Sequence, residues 1–253
     1  MMKMEARRKQ IVEMVNRESN VSFSMLMAQF KPISEMTLRR DLEYLDKAGS
    51  IVRVHGGAKS VDVVIGTDDL LMKRSVRNIE AKKLIARKAV ELLRVNTAIY
   101  LDSGSTTTLL ARHIPDNRYM VFTSGLTCVQ EMLQLEQVQI HVVGGKVNRA
   151  SQSTCSSKSL DYLDNTNFQI AFLGVTGFTL EHGFTCGTED ECELKRAAIR
   201  NTDVVVALMD STKVGVVSTF TYAMPRDVNI VVSDGELDNK TKSALEEAGV
   251  RIL

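Results

Sequence analysis

The chain has 253 residues, 44% of them hydrophobic, a formal net charge of +1 and four cysteines. That length suits one small and one medium domain, and the longest uninterrupted apolar run, Val204 to Met209, is far too short to span a bilayer. Met1 to Gln10 is charged and polar where a signal peptide would be apolar, and Cys128, Cys155, Cys186 and Cys192 form no C-x-x-C pair, so a cytoplasmic protein with free thiols, no metal site and no membrane partner is expected.

Residues 5–17 read as a helix with Ile11, Val12 and Val15 on its apolar side. A second helix begins near Ser22, buries Leu26 and Phe30, and stops by Pro32, which cannot continue it. A third follows Ser34, which is placed to accept from a free backbone N–H, with Glu35 at the positive end of the helix dipole. Leu38, Leu42 and Leu45 share one buried stripe, leaving Met36, Thr37, Arg39, Arg40 and Tyr44 off it. Such a helix fits the DNA major groove, where arginine pairs bidentately with guanine. A solvated charged helix has the same pattern, so the neighbouring elements decide. After Gly49 come the strand-like Ile51–Val54 and the turn His55-Gly56-Gly57. Three helices and a small β wing make a winged helix-turn-helix. In that reading Ser34, Met36, Thr37, Arg39 and Arg40 face bases or their edges, while Arg53 and His55 lie against the phosphate backbone. Residues 1–59 hold 11 Lys/Arg against 7 Asp/Glu, a net of +4, and the rest of the chain is net −3. A basic module on a mildly acidic body suits phosphate binding.

Ser34 to Leu45, Gly49 and the Arg53–Ala58 wing together resemble the signature of the DeoR family of bacterial transcription regulators. The turn Lys31-Pro32-Ile33 is one residue longer than the family's commonest form.

Residues 60–77 read as a linker, with Val61–Ile65 as a short strand interrupted by Gly66. Asn78 is expected to cap a helix running to Leu93. From Thr97 onward, apolar strands alternate with helices. The strands fall at Thr97–Leu101, Met120–Thr123, Gln139–Val143, Ala171–Gly174, Val204–Met209 and Asn229–Val232. Alternation of this kind implies a mostly parallel sheet covered on both faces, with ligands beyond the carboxyl ends of its strands. The first strand runs into Asp102-Ser103-Gly104-Ser105-Thr106-Thr107, a hydroxyl-rich loop opening a helix and so suited to an anion. It has no Walker lysine and no full G-x-G-x-x-G, which disfavours a nucleotide and leaves a small phosphorylated molecule. A turn that merely caps its helix reads the same way in isolation. Other strand-end loops add Ser124, Lys146, Arg149 and Lys213. Glu193 and Lys195, on a helix starting near Glu191, are read either as ligand contacts or as a surface pair.

The resemblance extends here. Asp102–Thr107 matches the family's phosphate loop, and Asp210-Ser211-Thr212-Lys213 matches its Asp-Ser-Ser-Lys segment with threonine for one serine. Phe172–Gly177 also fits. Thr123-Ser124-Gly125 replaces the usual Thr-Asn-Ser, and Ser156-Ser157 replaces an expected glycine. The resemblance implies a C-terminal domain similar to ribose-5-phosphate isomerase that senses phosphorylated sugars. The isomerases' acidic Asp-Gly-Ala-Asp-Glu loop corresponds to Gly174-Val175-Thr176-Gly177, which lacks acids, so binding without catalysis is expected.

The expectation is an α/β chain. A winged helix-turn-helix DNA-binding domain spans 1–59, a linker 60–77, and a mostly parallel effector-binding sheet domain 78–253. Its partners are double-stranded operator DNA, a phosphorylated sugar and further copies of itself as a dimer or tetramer, with no cofactor. Its role is a repressor of carbohydrate metabolism.

Overall fold

A computed structural model describes residues 4–18, 20–54, 56–60 and 71–253. The chain divides into two compact units, Met1–Thr67 and Asp68–Leu253.

The first unit contains α1 (Met4–Glu18), β1 (Asn20–Ser22), α2 (Phe23–Gln29), α3 (Glu35–Lys47), β2 (Val52–Val54) and β3 (Gly57–Lys59). Ser22 starts α2 by accepting from the Met25 N–H, and Ser34 starts α3 by accepting from Thr37. Ile11 and Val15 from α1, Leu26 from α2, and Leu38, Leu42 and Leu45 from α3 close one small core. The wing is larger than the sequence implies, because β1 joins it in the order β1-β3-β2. A Cβ at Gly57 would meet the Val21 carbonyl oxygen at 2.1 Å, so only glycine admits β1 at this spacing. The α2 helix ends at Gln29, earlier than Pro32 alone requires, and the Phe30 N–H completes its last turn on Leu26 O. His55 and the strand expected at 61–65 lie outside the described residues.

The expected linker, 60–77, differs from what is found at both of its described ends. Ser60 is buried and its hydroxyl donates to Asn16 of α1. Leu71–Val76 form a helix, α4, anchored by buried Leu71, whose N–H donates to the Ala150 carbonyl. Leu71, just ahead of the polar run from Arg74 to Arg77, is the buried apolar anchor of this helix.

In the second unit α4 is followed by α5 (Ile79–Val90), β4 (Thr97–Leu101), α6 (Ser105–His113), β5 (Tyr119–Thr123), α7 (Leu126–Met132) and β6 (Val138–Val142). Then come the hairpin β7 (Lys146–Asn148) and β8 (Ser153–Cys155), α8 (Ser157–Asp164), β9 (Phe168–Gly174), β10 (Gly177–Thr179) and β11 (Gly183–Cys186). The unit closes with α9 (Glu189–Arg200), β12 (Thr202–Leu208), β13 (Phe220–Ala223), β14 (Ile230–Val232), α10 (Asn239–Glu247) and β15 (Arg251–Ile252).

Seven strands form one sheet in the order β15-β14-β12-β9-β4-β5-β6, and every neighbouring pair is parallel. Side chains alternate across it: Ile99 and Leu101 pack with α5, α6 and α7, while Tyr100 packs with α8 and α9 on the other face. A small antiparallel sheet, β10-β11-β13, adds Phe178, Phe184 and Tyr222 to that second core.

Asn78 does not cap α5. It has a left-handed backbone (φ 49°), and its amide instead donates to Asp210 and Thr212. The regular helix ends at Val90, after which the Leu92 and Leu93 N–H groups turn back onto the carbonyls of Ala89 and Val90.

Candidate functional site

In the first unit the α3 surface carries the residues read as DNA contacts. Met36 is 65% exposed, and Arg39 and Arg40 are both exposed. Their guanidinium groups differ in a way the sequence does not reveal. Arg39 is tied to Glu35 one turn earlier, at 2.6 and 2.9 Å, and lies 4.6 Å from the centre of the Phe23 ring. Arg40 has no hydrogen bond or ion pair among the described residues. The Thr37 hydroxyl is shared with Ser34 at 2.9 Å, so both are partly committed to the helix start. Arg53 is exposed on β2, and with Arg39, Phe23 and Gly56 it lines a groove of about 260 Å³ between α3 and the wing.

Asp41 and Tyr44 do not read outward freely. The Asp41 carboxylate is buried and accepts from Arg7 at 2.6 Å and Arg8 at 2.8 Å, both on α1. The Arg8 guanidinium then covers the Tyr44 ring at 3.7 Å. This clasp fixes α3 against α1, and sequence reasoning missed it. A signal was present. Arg7 precedes Ile11 and Val15 at intervals of four, and Asp41 lies three residues after Leu38, so both charges sit on apolar stripes and need partners.

The second unit concentrates polar chemistry at the sheet's carboxyl edge. Winding starts at β4, proceeds to β5 and β6 on one side, and then crosses to β9 on the other. Neighbouring β4 and β9 therefore mark the switch point where an α/β sheet opens a crevice. Asp102 follows β4 and its carboxylate accepts from the Gly174 N–H at the end of β9, at 2.9 Å. Fully buried Lys195, from α9, pairs with that carboxylate, donates to Gly174 O at 2.9 Å, and reaches Glu191 at 3.2 Å. Burial alone would lower the Lys195 pKa, but Asp102 and Glu191 outweigh it and hold the amine protonated, well above its ordinary range. Tyr222 completes the cluster by donating to Gly174 O at 3.2 Å.

Above this cluster lies a cavity of about 400 Å³ lined by Ser103, Lys146, Arg149, Thr188, Asp190 and Glu191, among others. The β7–β8 hairpin supplies the cations. It is held down because Gly145 (φ 148°) passes so near Cys155 that a Cβ would lie 2.4 Å from its carbonyl oxygen. Ser103 is only 8% exposed, and its hydroxyl has no partner among the described residues. The α6 helix begins at Ser105, with its free N–H end at this loop.

The residues expected to bind an effector thus sort into groups. Ser103, Lys146 and Arg149 face the cavity, with Asp102 and Lys195 paired beneath it. Gly104, Ser105 and Thr106 shape the start of α6 without lining the cavity. Thr107 is fully buried and donates to Gly104 O at 3.0 Å, so its hydroxyl is spent inside the loop. Ser124 is fully buried and lies off the cavity wall, where its carbonyl accepts from Thr154. Glu193 points elsewhere on α9, to Arg196 at 3.1 Å, and its expected place is taken by Glu191, which lies one turn before Lys195 on the same face. Lys213 sits in the Ser211–Lys213 turn beyond β12, near Lys82 and Asp210, and not in this cavity.

Comparison with known proteins now bears on these two units. Residues 7–64 match the model of the DeoR-like helix-turn-helix domain, and residues 77–235 match that of the DeoR C-terminal sensor domain. The chain belongs to the DeoR family. This DeoR-family chain is 30% identical over 247 residues to the HTH-type transcriptional regulator GlpR of Haloferax volcanii, covering 98% of the chain and 96% of the relative. It is 27% identical over 241 residues to the lactose phosphotransferase system repressor of Streptococcus mutans, covering 94% and 95%. Among solved structures it is similar to ribose 5-phosphate isomerase A of Methanocaldococcus jannaschii, at 20% identity, with a TM-score of 0.39 and 54% and 55% coverage. The DeoR-family assignment fixes the two parts as a helix-turn-helix and a sensor. No helix among the described residues is long and apolar enough to cross a membrane.

Proposed function

We propose that this chain is a cytoplasmic repressor of carbohydrate-metabolism genes, released from or fixed to its operator by a phosphorylated sugar. The observation that carries the reading is Ser103, a residue only 8% exposed whose hydroxyl has no partner among the described residues, lining a cavity shared with Lys146 and Arg149 at the opening of α6. A hydroxyl at a cavity wall, with no protein partner, is open to donate to a ligand. Phosphate oxygens accept from a hydroxyl, from helix N–H groups and from cations alike. Relatives described as a transcriptional regulator and a phosphotransferase-system repressor support the regulatory side.

On the DNA side, Arg40 and Met36 face base edges while Arg53 and Arg39 flank a groove suited to backbone phosphate. Two copies bind as a dimer, matching paired half-sites. The ligand shifts DNA affinity only by binding the two conformations of the protein unequally. Turnover is not part of the reading. Gly174–Gly177 offers no carboxylate base, Asp102 and Glu191 are engaged by Lys195, and the remaining acid of the lining, Asp190, is exposed at the start of α9.

The decisive experiment selects operator sequences from random duplexes with the full chain, then measures binding to the selected duplex with and without a phosphosugar panel. A tenfold or larger change in DNA affinity with one phosphosugar is expected. No selected sequence, or no response to any member of the panel, sinks the proposal.

A further inference from the structure

We propose that α4 relays occupancy of the sensor cavity toward the DNA-binding unit, through the hydrogen bond from the Leu71 N–H to the Ala150 carbonyl. This rests on the reading of the cavity as a phosphate-ester site. The bond is 2.8 Å long, and Ala150 lines the cavity beside Arg149. Both partners belong to the second unit, where α4 is the first described element after the chain leaves Ser60. The chain arriving from the DNA-binding unit therefore enters the sensor at a helix that the cavity's own hairpin holds.

The helix depends on that hold. The first N–H groups of a helix have no partner within it, and six residues do not sustain a helix alone. Met72 and Val76 are exposed, so Leu71, 2% exposed, is the one buried apolar side chain of α4. Further along the helix, the Arg74 carbonyl accepts from Lys82 of α5 at 2.6 Å. Ala150 thus supplies the acceptor for a buried N–H at the helix start.

The hairpin is built to pass on a displacement. Its two strands stand outside the seven-stranded sheet, and a lone two-stranded ribbon is marginally stable. Its base is fixed, since the Leu126 N–H donates to Gln152 O and the Thr154 N–H to Ser124 O, both at 2.9 Å. Its tip is closed on itself: the Asn148 side chain accepts from the N–H of Ala150 at 2.9 Å and of Ser151 at 3.4 Å. Arg149 and Ala150 consequently move together. Lys146 and Arg149 are exposed and have no hydrogen bond or ion pair among the described residues, so a phosphate can draw them inward. Ala150 then shifts, and the Leu71 N–H either follows it or loses its acceptor. Coupling needs an element whose arrangement both sites bias, and α4 is placed to be that element.

The test compares full-length wild type and Leu71→Ala on the selected operator duplex, with a panel of hexose 6-phosphates and pentose 5-phosphates as probes. The most active ester should change wild-type operator affinity tenfold or more. Leu71→Ala should bind the duplex alone, and that ester in calorimetry, within threefold of wild type, while the ester's effect on DNA affinity falls to threefold or less. A variant that keeps the full effect overturns the inference and leaves the proposed function standing, as does one that weakens either binding on its own. Hydrogen exchange on the wild type decides the matter if Leu71→Ala does not fold. Saturating ester should change the Leu71 amide rate at least fivefold more than that of buried Ile85 in α5. Equal changes at the two amides overturn the relay. A wild type in which no ester alters DNA affinity removes the relay and the proposed function together.

Discussion

Arg39 and Arg40 are adjacent in sequence and unlike in circumstance. Glu35 already neutralises Arg39, whereas Arg40 is free to lose its water only to an outside partner. Arg40→Ala is therefore expected to weaken binding to a selected operator duplex by about 1–3 kcal/mol, the range of a bidentate base contact. Arg39→Ala should cost less, because its guanidinium is already engaged by Glu35 and has less to give an outside partner. An Arg40→Ala protein with unchanged affinity in fluorescence anisotropy would take Arg40 off the reading face. Asp41 acts differently. Two arginines converge on it under cover, so Asp41→Asn leaves charges without their counterion and should cost about 3 kcal/mol of headpiece stability in urea unfolding. That role was open to sequence reasoning, since both members of the Arg7–Asp41 pair interrupt apolar stripes. The disengagement of Glu193 was open to it as well: Glu191, not Glu193, stands one turn from Lys195. The partnerless state of Arg40 was not, because exposure to a free groove leaves no local mark in the chain.

At the scale of elements, pattern served the long segments and some short ones, and missed others. The five-residue β4, flanked by polar loops, was legible to its ends, and Ser34 announced α3. The three-residue strands β1 and β10 were missed because they are set by partners distant in the chain, whereas β2 and β14, equally short, were legible from their apolar β-branched runs. Asn78 misled for a related reason: its side chain answers to Asp210 and Thr212, far along the sequence, more than to the helix it precedes. Ser34→Ala tests the reliable kind of signal and should lower headpiece stability by about 1 kcal/mol. The α5 helix offers a pH-dependent case. Burial and nearby Lys213 bring the Lys82 pKa down from 10.5 to about 8, although Asp210 opposes the shift. The unfolded chain then binds more protons than the folded one between these values, so Lys82 weighs against folding below pH 8 and ceases to do so as pH rises through that window. The stability gap between Lys82→Met and wild type should move in favour of wild type by about 2 kcal/mol from pH 7.5 to 10. A gap that stays flat across the titration would remove Lys82 as a titrating group.

Across the whole molecule, each unit closes a core from its own residues, one from Ile11 to Ala58 and two on the faces of the parallel sheet. The sensor fragment 71–253 should therefore fold alone and retain its affinity for phosphate esters, while losing DNA binding. Saturating that fragment with ligand at a hundred times its Kd should add about 2.7 kcal/mol to its stability. A fragment that melts without cooperativity would show that the sheet depends on the headpiece. The alternation of strands and helices made the sheet legible, and its switch point then located the crevice. How the β7–β8 hairpin and the start of α9 share one cavity was beyond reach, because they meet only through the crossing from β6 to β9.

The bond from the Gly174 amide to Asp102 has an isotopic corollary. That amide proton is donated to a carboxylate sealed by an inaccessible ammonium, at the seam where the two winding directions of the sheet meet. In heavy water it should be among the last in the sensor to be replaced by deuterium. Its clock would report the opening of the entire sheet, where amides at the hairpin tip would report only local breathing.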